Sequence, residues 1–121
     1  MPTCERFADL LQGYADGKRF FQHADLDTDP NNNLNGVCLD GIDLSNSFII
    51  ASFQGASLRD ALFTSANVKT SDFTNSDLRG ADFRGAALCA TTFVRARMEG
   101  ARFLGAYYHS HVLTDDEQPN W

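Results

Sequence analysis

Cysteine is scarce here: Cys4, Cys38 and Cys89 stand far apart in 121 residues, and no two form a Cys-x-x-Cys pair. An odd count at such spacing argues against a disulfide framework or a structural zinc site, and it suits a reducing compartment. Nowhere do about 18 apolar residues run together, as a membrane-spanning helix requires. The opening MPTCERFADLL has no basic stretch leading into an apolar run, so no secretory leader is expected, and the location predicted is the cytoplasm. Also lacking is room for a second domain: the length, with 43% hydrophobic and 21% charged residues, describes one globular unit.

Charge of one sign is missing from the body of the chain. The formal net charge of −6 belongs to the ends. Glu5, Asp9, Asp16, Asp25, Asp27 and Asp29 outnumber Arg6, Lys18 and Arg19 over residues 1–31, and Asp115, Asp116 and Glu117 close the chain. Between 32 and 113, Asp40, Asp43, Asp60, Asp72, Asp77, Asp82 and Glu99 are balanced by Arg59, Lys69, Arg79, Arg84, Arg95, Arg97 and Arg102. Such a body offers neither a basic surface for nucleic acid nor a continuous acidic one.

The helical period of 3.6 and the strand period of 2 are both absent from the middle of the chain. Large apolar residues recur every fifth position instead: Phe48, Phe53, Leu58, Phe63, Val68, Phe73, Leu78, Phe83, Leu88, Phe93, Met98, Phe103, Tyr108 and Leu113. Two places before most of them stands a small residue, as at Ala51, Ala56, Ala61, Ala66, Ser71, Ser76, Ala81, Ala86, Thr91, Ala96, Ala101 and Ala106. Neither a helix nor a flat strand keeps a period of five on one side, so the chain must turn a corner in every unit.

Units such as SDLRG at 76–80, ADFRG at 81–85 and ARFLG at 101–105 resemble the pentapeptide-repeat family, whose pattern is Ala-Asp/Asn-Leu/Phe-x-x, over roughly residues 20–115. The resemblance implies an all-β fold: a right-handed quadrilateral parallel β-helix, one unit per side and four per coil, with the central residue and the small one pointing inward. A one-residue deletion between Leu44 and Phe48 carries the pattern back through Leu39 and Leu34, and a three-residue insertion in DTDPNNN, near 27–33, connects Leu26 and Phe21. Nineteen units, just under five coils, then form four columns. Phe21, Leu44, Phe63, Phe83 and Phe103 face Leu34, Phe53, Phe73, Phe93 and Leu113. The slimmer columns are Leu26, Phe48, Val68, Leu88 and Tyr108, and Leu39, Leu58, Leu78 and Met98. Bulky rings on two facing sides and slimmer residues on the others fill a square section at native density.

A β-helix has open ends that recruit other strands unless covered. Phe7, Leu10, Leu11 and Tyr14 fall at i, i+3, i+4 and i+7, which predicts an amphipathic capping helix within 3–17, with Thr3 as N-cap and Gly17 as its stop. At the other end the polar tail, 116–121, either shields the last coil or frays.

Several residue groups invite a chemical reading. Lys69, Cys89 and His109 fall in one outward column, where an imidazole would stabilise a thiolate, but no orienting group or oxyanion donor accompanies them. His109, His111, Asp115 and Asp116 are metal-ligand types, although the period gives His111 an inward slot. Asp43, Asp72, Asp77 and Asp82 precede inward residues, where the family carries Asp or Asn for structural reasons, and a flat wall has no cleft to shift a pKa. No catalytic, cofactor or metal site is therefore expected. Outward apolar residues are more informative: Ile49, Ile50, Leu62, Leu104 and Tyr107 mark a docking patch across two adjacent sides.

The function predicted is a non-catalytic protein-binding or scaffold module. Its partner is another protein, not nucleic acid or membrane, and the chain is a monomer or an end-to-end dimer. A first alternative, implied by the resemblance, is a DNA mimic that protects or inhibits DNA gyrase; it needs a run of charge comparable with one phosphate per about 1.7 Å of duplex, which the balanced body lacks. A second, a small enzyme, has no motif in its favour.

Overall fold

A computed structural model describes residues 3–121. Its regular part is built from one local device. In the units of Leu34 and Leu39, and in every unit from Phe53 to Phe103, the N–H three places after the inward residue donates to that residue's carbonyl, as from Ala56 to Phe53 (3.0 Å) and from Ala81 to Leu78 (3.0 Å). The residue two places on, such as Gly55, Asp60, Ser65, Asn75 or Gly80, has a positive φ. This is the type II turn, which requires that left-handed position and favours glycine or asparagine there. The turn delivers the next small residue to the inside of the corner, and the chain starts a new side.

Successive coils pair in parallel through the residue just before each inward one. Four ladders result: Phe20–Asp43–Leu62–Asp82–Arg102, Asp25–Phe48–Asn67–Ala87–Tyr107, Asn33–Ser52–Asp72–Thr92 and Cys38–Ser57–Asp77–Arg97. They define the first, second, third and fourth walls. One of these pairings, Asp25 with Phe48, lengthens into a pair of strands, β1 (Asp25–Leu26) and β2 (Phe48–Ile49). Inside, Phe63, Phe83 and Phe103 stack with ring centroids 4.8 and 5.1 Å apart, and Phe53, Phe73 and Phe93 with 5.1 and 5.3 Å. The two stacks meet edge to face across the axis, with Phe63–Phe73 at 5.9 Å and Phe73–Phe83 at 5.6 Å. Stacked and T-shaped geometries are both favourable for rings, so the core gains specific contacts as well as burial.

The expected register needs correction at one corner. Ile49, not Phe48, is the inward residue: Ile49 is fully buried and Phe48 is 51% exposed. The four-residue unit is thus Ile49–Ser52, one step later than the sequence pattern suggested. This unit has no left-handed residue and no turn hydrogen bond. Ser71, from the coil above, supplies the missing link, accepting from the Ala51 N–H (3.1 Å) and donating to the Ile49 carbonyl (3.1 Å). Ser76 occupies the same small inward slot in a regular unit, where its hydroxyl only adds a second donor to the Phe73 carbonyl. Ser71→Ala should therefore lower unfolding stability by about 1–3 kcal/mol, because it strands two buried backbone groups. Ser76→Ala should change it by a few tenths at most, on the order of a surface substitution. Equal denaturant midpoints for the two variants would refute the bridging role.

The N-terminal end is covered by helix α1 (Phe7–Ala15), with Phe7 and Leu10 buried. It is shorter than expected because Thr3 does not cap it. The Phe7 N–H donates instead to the carboxylate of Asp29 (2.7 Å), in the loop that follows β1. Asp29 is held below the ordinary carboxylate range by N–H donors from Asn31 and then Phe7, a charged cap of the kind a helix N-terminus favours. Gly17, with φ +96°, ends the helix; the Lys18 N–H reaches the Gly13 carbonyl and the Gly17 N–H that of Tyr14, the paired bonds of a Schellman stop. The Tyr14 hydroxyl donates to the Asp40 carbonyl (2.7 Å) and ties the helix to the first coil. No helix among the described residues is long and apolar enough to cross a membrane.

At the C-terminal end the five-residue repeat stops before Leu113. β3 (Tyr107–Tyr108) and β4 (His111–Val112) form an antiparallel hairpin, so the chain reverses instead of completing another coil. His111 is consequently exposed, not inward, and Leu113 does not extend the Phe93 column; it is buried where its N–H meets the Ala106 carbonyl (2.7 Å). The tail then crosses the open end. The Gln118 amide donates to the Met98 carbonyl (2.8 Å), and the Trp121 carbonyl accepts the Phe93 N–H that another coil would have satisfied. The polar tail is an ordered cap.

Candidate functional site

The walls differ in what they show to solvent. The fourth carries charges that satisfy one another: Arg59 with Asp40 at 2.9 Å, Arg79 with Asp77 at 2.6 Å and Arg97 with Glu99 at 4.0 Å. The third is mostly short polar side chains, with Val94 its one exposed large apolar residue among those described. The first and second walls carry the rest. Phe20, Leu62 and Leu104 stand out from the first, Phe48 and Tyr107 from the second, and Val112 opposes Tyr107 across the hairpin.

Of the five docking residues expected from the sequence, Leu62, Leu104 and Tyr107 are exposed on these two walls and Ile50 is half-buried at the short corner. Ile49 is not a surface residue at all, because it fills the inward slot. Three exposed residues of these two walls and their hairpin lie outside the expected set: Phe20 (72% exposed), Phe48 and Val112 (58%). Phe20 directly precedes the inward Phe21, the same outward position as Leu62, and was legible on that ground. Val112 was hidden by the unforeseen hairpin.

The carboxylates before inward residues have a definite structural task. One oxygen of each accepts the N–H two places on: Asp43 from Ser45, Asp72 from Thr74, Asp77 from Arg79 and Asp82 from Arg84, at 2.9 to 3.2 Å. Asn33 and Asn67 do the same with Asn35 and Lys69. These Asx turns explain why Asp or Asn recurs in the slot. The Arg79 side chain, bonded to both oxygens of Asp77, holds that carboxyl below its ordinary range. Burial pushes Asp82 up, but bonds from the Arg84 side chain and N–H outweigh it and the net shift is downward. Carboxylates held ionised in this way are poor proton shuttles near neutral pH.

The Lys69, Cys89 and His109 column exists, but its contact is not imidazole to thiol: the main-chain N–H of His109 reaches the Cys89 sulfur at 3.5 Å. The metal-ligand types disperse. His111 pairs with Glu117 at 3.0 Å and Asp115 with Arg102 at 3.5 Å, and no group of three His, Cys, Asp or Glu converges among the described residues. All three cysteines are unpaired.

No curated protein matches the chain. Among solved structures, the pentapeptide repeat protein alr5209 of Nostoc PCC 7120 is 27% identical over 92% of each chain, with a TM-score of 0.47. HetL of Nostoc sp. PCC 7120, involved in heterocyst differentiation regulation, is 27% identical over 82% of this chain and 45% of its own, with a TM-score of 0.48. A pentapeptide repeat protein of the Arabidopsis thaliana thylakoid lumen is 29% identical over 70% of this chain and 67% of its own, with a TM-score of 0.44. The family model for pentapeptide repeats matches residues 48–80 and 69–105 in eight copies. With the four ladders and the inward columns, that match identifies residues 48–105 as pentapeptide repeats, in a chain folded as a right-handed quadrilateral β-helix.

Proposed function

We propose that the protein is a non-catalytic binding module that seats a protein partner across its first and second walls. One observation carries this reading: the large exposed apolar side chains Phe20, Phe48, Leu62, Leu104 and Tyr107 gather on two adjacent walls, against Val94 alone among the described residues of the other two. Apolar side chains scattered at random need no explanation, whereas concentration on one flank of a rigid rod marks an interaction surface. A protein partner fits better than nucleic acid, since Arg79, Arg84, Arg97 and Arg102 each already face a carboxylate. The same pairing weakens the DNA-mimic reading, which needs unneutralised negative charge along the rod. Covered ends favour a monomer over end-to-end pairing, and three free thiols suit the cytoplasm.

Phe48→Asp combined with Leu62→Asp tests the reading, because both positions face solvent and the fold should survive. Wild-type protein immobilised in an extract of the source organism should retain a specific partner. The double variant, with an unchanged melting curve, should lose about tenfold or more of that affinity, as loss of central apolar anchors does elsewhere. A partner held equally by both proteins would exclude these walls.

A further inference from the structure

The C-terminal cap carries an open-mouthed hollow of about 410 Å³ that the wall-docking reading does not use. Tyr108 and Trp121 line it, their ring centroids 4.2 Å apart and their planes inclined at 46°. Asp116 and Glu117 line it too, with His111, Leu113, Gln118 and Asn120, and no lysine or arginine does. Glu117 is engaged by His111 and by the N–H and hydroxyl of Thr114. Asp116 has no ion pair among the described residues, unlike its neighbour Asp115. The walls are fixed in place by bonds the coil end requires: Gln118 to the Met98 and Ala101 carbonyls, and Trp121 to the Phe93 N–H.

Aromatic faces and an unpaired carboxylate attract the same kind of group. A cation over a Trp or Tyr face interacts with the ring quadrupole, most strongly where water is partly excluded, and the volume lies in the range of small-ligand sites. An anion would meet two carboxylates, and a wholly apolar solute would find only the rings and Leu113. We propose that this cavity binds an alkylammonium group, either free or carried on a lysine side chain. The inference is independent of the docking surface on the walls.

Trp121 is the single tryptophan of the chain, so its emission reports on the cavity alone. The intact protein is titrated at constant ionic strength with choline, with Nα-acetyl-lysine methylamide and with 3,3-dimethylbutan-1-ol, the neutral carbon counterpart of choline. The expected result is a saturable change with at least one cation and none with the alcohol over the same range. The cation that saturates identifies the source: choline a free ammonium compound, the lysine amide a peptide side chain. Asp116→Asn should weaken binding by about threefold, the loss of one exposed ion pair, with the melting curve unchanged. Intermolecular NOEs from the ligand's N-methyl or ε-methylene protons to the Trp121 and Tyr108 rings should appear whatever the variant does. A response to the alcohol equal to that of the cations, a response that never saturates, or an affinity indifferent to Asp116→Asn would overturn the proposal.

Discussion

Phe83→Ala is expected to lower unfolding stability by about 3–5 kcal/mol, the range for deleting a fully buried ring. Phe83 has no exposed surface and lies between Phe63 and Phe103 in its own stack. It also meets Phe73 and Phe93 edge to face, at 5.6 and 5.7 Å. Truncation removes four aromatic contacts at once, each worth about 0.5–1.5 kcal/mol beyond the area it buries. The coils above and below cannot close the gap, because their spacing is fixed by the backbone ladders at about 4.8 Å. Against a domain stability of about 5–15 kcal/mol, this is about a fifth of the total or more. Val94→Ala, outward on the third wall and 39% exposed, should stay within about 0.5 kcal/mol. Urea denaturation of the two variants gives the comparison, and similar midpoints would contradict the stacked core.

Much of this architecture is legible from spacing alone. Phe53, Phe63, Phe73, Phe83, Phe93 and Phe103 stand ten apart, so a four-sided coil must send them alternately to two opposite walls, and it does. What spacing cannot do is choose between adjacent apolar residues, or tell a continuing coil from a reversal. Both errors share a cause: the inward corner slot in the regular stack admits only a small side chain. Phe48 as a centre would put Asn46 in that slot, whereas Ile49 puts Ser47 there, 1% exposed. Leu113 as a centre would put His111 there, and the chain reverses instead. The slot is less strict in the first coil, where Val37 and the buried Ile42 occupy it. The turn positions carry a second signal: glycine at 55, 80, 85, 100 and 105 marks the left-handed turn position, and Asn46, with φ +59°, marks it for the unit centred on Leu44. That unit is therefore complete, and the short one must follow it. The Asp29 cap on α1 had no sequence signal, because a loop 22 residues away supplies it.

The candidate surface was legible to the extent that the register was. Leu62, Leu104 and Tyr107 followed from counting outward positions, while Ile49 and Phe48 exchanged roles with a one-residue shift, which on a strand moves a side chain to the opposite face. The shift changes the functional argument as well. With Phe48 outward, the second wall gains a large exposed ring one coil below the level of Leu62 on the first wall, so the apolar surface extends around the corner between them.

Ile49→Ala and Phe48→Ala, made side by side, decide the register experimentally. Ile49 is completely buried in the column of Leu26, Val68 and Leu88, and its backbone carbonyl is bonded to Ser71. Its truncation should lower stability by about 2–5 kcal/mol. Phe48 is half exposed and leaves only partial contacts behind, so its loss should cost no more than about 1 kcal/mol. A strict five-step count from Phe53 predicts the reverse order, with the larger residue carrying the larger penalty. The two variants also separate folding from binding. Phe48→Ala should weaken a partner docked on the second wall while leaving the melting midpoint close to wild type, whereas Ile49→Ala should move the midpoint and affect binding only through loss of folded protein. A Phe48→Ala variant that is destabilised as severely as Ile49→Ala would place both side chains inside and remove the ring from the proposed interface.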